Sequence, residues 1–190
     1  MKIEEFKLER YFAEHEFTAK HLLSSSDCDP YPLQKIIDSA SENELEQWNS
    51  IKLGYTPSEG SLFLREAIQK LYSKASAENI LVSSPGELNF LAMNVLLEPS
   101  DHVITVSPCY QSLSDVVKAI GCELSYWRPN SEWEFKPEEL KKLIKKNTKL
   151  IIINFPHNPT GSYLTPSELN RVIEIAREDN LFVFSDEMYH

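Results

Sequence analysis

The chain has 190 residues, 42% of them hydrophobic, and carries 19 Lys and Arg against 29 Asp and Glu, a formal net charge of -10. That length suits one ordinary domain or a piece of a larger one, and the acidic balance argues against a nucleic-acid groove or an anionic membrane surface as partner. The opening segment MKIEEFKLER mixes both charge signs with no apolar stretch after it, so neither a targeting peptide nor a membrane span is expected.

In chain order, the stretch SSSDCDPYP at residues 24–32 is turn-rich and is a candidate separator between an amino-terminal segment and a sheet domain. Residues 33–49 read as an acidic, less regular helix. Residues 58–73, SEGSLFLREAIQKLYS, read as an amphipathic one, with Leu62, Leu64, Ile68 and Leu71 among its apolar positions. From there short β-rich runs alternate with helical patterns. Strands are expected at 80–83 (ILVS), 102–106 (HVITV), 123–127 (ELSYW), 150–154 (LIIIN) and 181–185 (LFVFS), and helices at 86–97, 111–120, 137–145 and 166–179. Two of these strands are apolar on both faces, as a parallel sheet covered by helices on each side requires. The last helix has a clear start in TPSE: Thr165 caps, Pro166 fits the first helical position and Glu168 reaches back to complete a capping box. The alternation predicts an α/β fold with right-handed crossovers. Cys28, Cys109 and Cys122 form no C-x-x-C pair, which fits a reducing compartment better than a disulfide framework, and the five histidines show no zinc-like spacing.

In open α/β sheets ligands sit beyond the carboxyl ends of the strands. Four polar, turn-forming clusters come after four different predicted strands: SSPGE (83–87), SPCY (107–110), NFPHNPTG (154–161) and SDEMY (185–189). They are expected to share one edge of the sheet. The turn chemistry alone is also compatible with loops that merely end strands, and His157 and Cys109 read as packing or loop residues.

NFPHNPTG followed by SDEMY resembles the fold-type I pyridoxal-phosphate enzymes, specifically the class I/II aminotransferases; LGYTPSEGSLFLREAI, the loop before the helix at 86–97, and SPCY fall in that family's order. The resemblance runs from about Gly54 to the last residue. It implies a three-layer α/β/α fold with a mostly parallel sheet, incomplete at the carboxyl terminus. Residues 1–50 would be an arm and part of a small domain, and residues 51–190 the first part of the cofactor-binding large domain. The implied cofactor is pyridoxal 5'-phosphate. Asp186 would face its pyridine nitrogen and keep it protonated. Asn158 and Tyr189 would donate to its phenolic oxygen, and Tyr110 would stack on the ring. The start of the helix at 86–97 would receive the phosphate, with Tyr55 reaching the phosphate of a neighbouring subunit.

Two departures from the family pattern matter. Ahead of that helix the family usually has a Gly followed by small residues, whereas this chain reads Ser84, Pro85, Gly86, Glu87. Counting back places the phosphate contacts on Pro85 and Gly86; Pro85 has no amide hydrogen, so Gly86 and Glu87 are expected to donate instead. The lysine that carries the cofactor as a Schiff base in these enzymes is expected beyond residue 190, as is the arginine for the substrate carboxylate, so the 190 residues alone are expected to be inactive. The resemblance thus implies a cytoplasmic, homodimeric aminotransferase acting on an amino acid and a 2-oxo acid. Another enzyme on the same scaffold (lyase, cyclase or synthase) and a non-catalytic fragment are the alternatives.

Overall fold

A computed structural model of the chain describes residues 1–23 and 28–189; part of the turn-rich interval 24–32, and His190, lie outside the described residues. The chain divides into two compact units, Met1–Arg10 with Ser84–His190, and Tyr11–Ser83. These boundaries do not coincide with the division at residue 50 drawn from the sequence. Among the described residues no helix is long and apolar enough to cross a membrane.

The unit Tyr11–Ser83 is helical. After α1 (Lys7–His15), a helix not anticipated from the mixed charges of its sequence, come α2 (Leu33–Ser39), α3 (Glu42–Asn49) and α4 (Leu62–Gln69). The single helix expected at 33–49 is broken because Ser41 starts a new one: it caps α3 in a capping box with Glu44. The helix expected at 58–73 is shorter, since Ser61 caps its first turn. Arg65 ties the unit's last segments together, donating from Nε to the Gly60 carbonyl at 3.1 Å and from Nη1 to that of Ala77 at 2.8 Å. Gly60 has φ +96° and a Cβ there would lie 2.8 Å from that of Val82, so only glycine fits this turn. Residues 80–83 do not form the expected strand. Val82 makes one ladder-like bond, its amide to the Glu59 carbonyl at 3.0 Å, and a strand exists only where a neighbour pairs along its length.

The other unit is built on a four-stranded parallel sheet of order β2-β1-β3-β4, with β1 (His102–Val106), β2 (Glu123–Trp127), β3 (Thr148–Asn154) and β4 (Phe182–Asp186). Helices α5 (Pro85–Leu96), α6 (Gln111–Ile120), α7 (Pro137–Lys141) and α8 (Pro166–Glu178) connect and cover it. Strand alternation sorts the core into two layers. Val103, Leu150 and Ile152 point to one face and pack with Met93 and Leu97 of the α5 end and Leu113, Val116 and Val117 of α6. Ile104, Val106, Ile151 and Ile153 point to the other and pack with Leu140, Val172 and Ala176 of α7 and α8, and with Trp127 and Phe135. The expected three layers are therefore present. The central strand β3 is buried at every position but Lys149, which explains why LIIIN reads as continuous rather than alternating. Lys149 lies at the amino end of β3, with Nζ 5.5 Å from the ring centre of Phe182. On the edge strand β4, Phe182 and Val183 stay partly exposed.

Candidate active site

Because all four strands run parallel, the loops after β1, β3 and β4 leave from one edge, as the motif positions required. A single side chain joins the last two. Asn154, the final residue of β3, is 3% exposed and lies opposite Asp186 in the ladder. Its Nδ2 donates to the Asp186 carbonyl at 3.0 Å, and its Oδ1 accepts the Asn158 amide at 3.1 Å. One buried amide thus uses both of its ends to fix the turn after β3 against the end of β4. Asn158 then donates through Nδ2 to the Tyr189 hydroxyl at 3.2 Å, which sets two of the expected ring contacts side by side.

The turn itself is closed from within. The Gly161 amide donates to the His157 carbonyl and the His157 amide to the Ser162 carbonyl, both at 2.7 Å, with Gly161 at φ +72°. His157 is 2% exposed, and its ring bridges two loops: Nε2 donates to the Pro108 carbonyl at 2.8 Å and Nδ1 meets the Thr160 hydroxyl at 2.7 Å. A carbonyl only accepts, so Nε2 carries a hydrogen. Burial holds His157 below the ordinary imidazole range, opposed by the Pro108 carbonyl. The packing role read for His157 is therefore one of joining SPCY to NPTG.

Asp186 closes β4. Its carboxyl is pushed up by burial, with the Met188 amide pulling the other way, and no cation pairs with it among the described residues. That is an uncommon state for a carboxylate, which ordinarily stays solvated or paired. Tyr110 caps α6 without a side-chain cap bond; its hydroxyl donates to Glu9, and burial followed by that bond pushes its pKa up to about 12. At α5, Ser84 is the N-cap and Pro85 the first helical residue, which places Gly86 and Glu87 in the helix's first turn. Asn89 of α5 donates to Ser112 of α6 at 2.9 Å, which brings these two helix starts together. Tyr55 lies in the other compact unit and is fully exposed.

Asn154 and the Pro108 carbonyl were missed from the sequence. Asn154 is the last letter of LIIIN, and a polar residue ending an apolar strand ahead of NPTG was the one available signal.

A parallel α/β sheet whose carboxyl edge gathers a carboxylate with no cation beside it among the described residues and a paired amide and phenol places the protein among α/β folds with a candidate ligand site at that edge. The chain belongs to the aminotransferase class I and II family, whose profile matches residues 18–190. The aspartate aminotransferase of Sulfolobus acidocaldarius is 34% identical over 125 residues, 63% of this chain and 31% of that protein. The aspartate aminotransferase of Bacillus sp. strain YM-2 is 33% identical over 167 residues, covering 82% and 41%. Among solved structures, a PLP-dependent aminotransferase from Streptococcus suis aligns with TM-score 0.89 at 32% identity over 98% of this chain and 52% of that one. The PLP-dependent cyclase OrfR aligns with TM-score 0.85 at 27% identity, covering 97% and 49%. The chain spans between 31% and 41% of the length of the curated relatives it matches.

Proposed function

We propose that at full length this protein is a pyridoxal-phosphate-dependent aminotransferase that moves an amino group between an amino acid and a 2-oxo acid. The observation that carries this reading is the Asn154 bridge, which couples the Asn158 turn to Asp186 at the carboxyl edge of a parallel sheet. The residues present fit the cofactor. A partly buried carboxylate with no cation against it suits a protonated pyridine nitrogen. The Asn158 and Tyr189 side chains suit a phenolic oxygen, Tyr110 a ring face, and the amides of Gly86 and Glu87 a phosphate. Pro85 supplies only contact and the turn.

When bound, pyridoxal phosphate supplies an electron sink for the substrate carbanion. The chain's own part is to hold a proton at the ring nitrogen through Asp186, to hydrogen-bond the phenolic oxygen through Asn158 and Tyr189, and to keep the ring flat against Tyr110. Tyr55 serves the phosphate of the neighbouring subunit in a homodimer, residues 1–50 form an arm and part of a small domain, residues 51–190 begin the cofactor domain, and the protein works in the cytoplasm. A second reading, another PLP enzyme such as a cyclase, is favoured by the likeness to OrfR. The test is the full-length protein with pyridoxal phosphate, an amino-acid donor and a 2-oxo-acid acceptor. Stoichiometric appearance of new keto acid and new amino acid is expected; consumption of the donor without transfer to the acceptor would favour the second reading. A full-length protein that sediments as a monomer with full activity would rule out the role of Tyr55.

A further inference from the structure

The segment entering α1, with that helix's first turn, lies along the start of α6 in a way the motifs do not require. The Gln111 carboxamide grips its backbone at two points: the Lys7 amide donates to Gln111 Oε1 at 3.1 Å, and Gln111 Nε2 donates to the Glu5 carbonyl at 2.8 Å. The same Nε2 also donates to Asp115 at 2.5 Å, which fixes the amide's orientation from the helix side. Between the two anchor points Phe6 sets its ring against that of Tyr110, centroids 4.7 Å apart and planes at 60°. Beyond them the Glu9 carboxylate accepts the Tyr110 hydroxyl. The Tyr110 backbone is extended, at φ -61° and ψ 134°, and the residue is 36% exposed. Helix α6 therefore fixes where Tyr110 starts but not where its ring points. That is decided by an apolar contact and a charge-assisted hydrogen bond, both from residues 5–9.

We propose that residues 5–9 form a strap that presets the Tyr110 ring for a flat ligand, with Phe6, Glu9 and Gln111 as positioning residues. This rests on the cofactor role proposed above for Tyr110. A stacking ring with two free torsions loses that freedom on binding, and a ring already held does not.

The test uses the full-length protein and deoxypyridoxine phosphate, a cofactor analogue without the aldehyde, so that affinity reports ring contacts alone. Hydrogen exchange at the Lys7 amide, which donates to Gln111, reports the strap independently of any ligand. Glu9→Ala is expected to weaken the analogue about 2- to 10-fold, the effect of one lost hydrogen bond, and Gln111→Ala, which removes both backbone anchors of the segment, to abolish protection of that amide and weaken the analogue at least as much. Glu9→Gln retains an acceptor and is expected to recover most of that loss. Glu9→Ala added to Tyr110→Phe is expected to cost nothing further, because the two changes remove the same bond. Unchanged affinity in both alanine variants, additive losses, or an unprotected Lys7 amide in the wild type would overturn the strap while leaving the cofactor reading intact. Failure of the wild type to bind the analogue at all would overturn the cofactor reading itself, and the strap's purpose with it.

Discussion

The two ends of the same parallel sheet each hold a buried histidine with both ring nitrogens engaged, yet they do different things. At the amino edge His102 is wholly buried, with Nδ1 2.7 Å from the Thr148 hydroxyl and Nε2 2.8 Å from that of Ser125. Around it the Lys145 amide donates to Thr148 at 2.6 Å and the Lys145 ammonium pairs with Glu123 at 2.5 Å. Every polar group in that knot answers another. At the carboxyl edge His157 and Asn154 are satisfied just as fully, but Asn154 there holds the backbone of Asp186, whose carboxylate has no cationic partner among the described residues. A closed network stabilises a fold; a closed network built around one uncompensated charge leaves a place for a ligand.

The sharpest way to break this contrast is at Asp186. In the full-length protein Asp186→Ala is expected to lower turnover by roughly 100-fold or more, and far more than Asn158→Ala, since in the site proposed above only Asp186 would set the charge of the ring nitrogen. Steady-state rates with saturating cofactor decide it, and near-normal turnover in Asp186→Ala would sink the assignment. Next in size is Asn154→Ala. It removes two hydrogen bonds and strands the Asn158 amide, so a loss of about 2–3 kcal/mol in urea unfolding is expected, together with weaker cofactor binding. Stability lost without any change in binding would show that the bridge does not organise the site.

Protonation tests both edges at once. Burial first, and Lys145 second, push the His102 pKa down against the opposing pull of Glu123; burial does the same at His157. With native values below the unfolded value near 6.5, the unfolded chain binds the extra proton. This stability is therefore complete above about pH 6.5 and falls as the pH drops below it, by at most about 1.4 kcal/mol per pH unit for each ring. His102→Gln and His157→Gln should each flatten the acid limb of the denaturation midpoint, but only His157→Gln should also weaken cofactor binding. Equal effects on binding would erase the distinction between the edges. The smallest expected effect is Thr165→Ala, which removes the capping box of α8 for about 1 kcal/mol in thermal or urea unfolding. Its cofactor affinity should match the wild type.

What the sequence determined by itself was whatever a short window contains. Strands β1 and β2 and helix α6 begin and end where periodicity placed them, and the capping box of α8 was legible in four letters, because strand alternation, helix stripes and caps are local. The spacing of NPTG and SDEMY likewise pointed to Asn158, Tyr189 and Asp186 as neighbours at one sheet edge, and Asn158 does bond to Tyr189 there. Tertiary structure decided the rest. Residues 80–83 have the composition of a strand, but among the described residues they form none, and strand formation needs a second segment pairing along the length. Asn154 is one polar letter until the parallel register sets it opposite Asp186. Tyr110 meets Glu9 across 101 positions of sequence and Gln111 meets Glu5 across 106, separations at which no local pattern records the contact. Those bonds depend on the tertiary fold that brings α6 against the amino-terminal segment, so a linear reading leaves these residues silent.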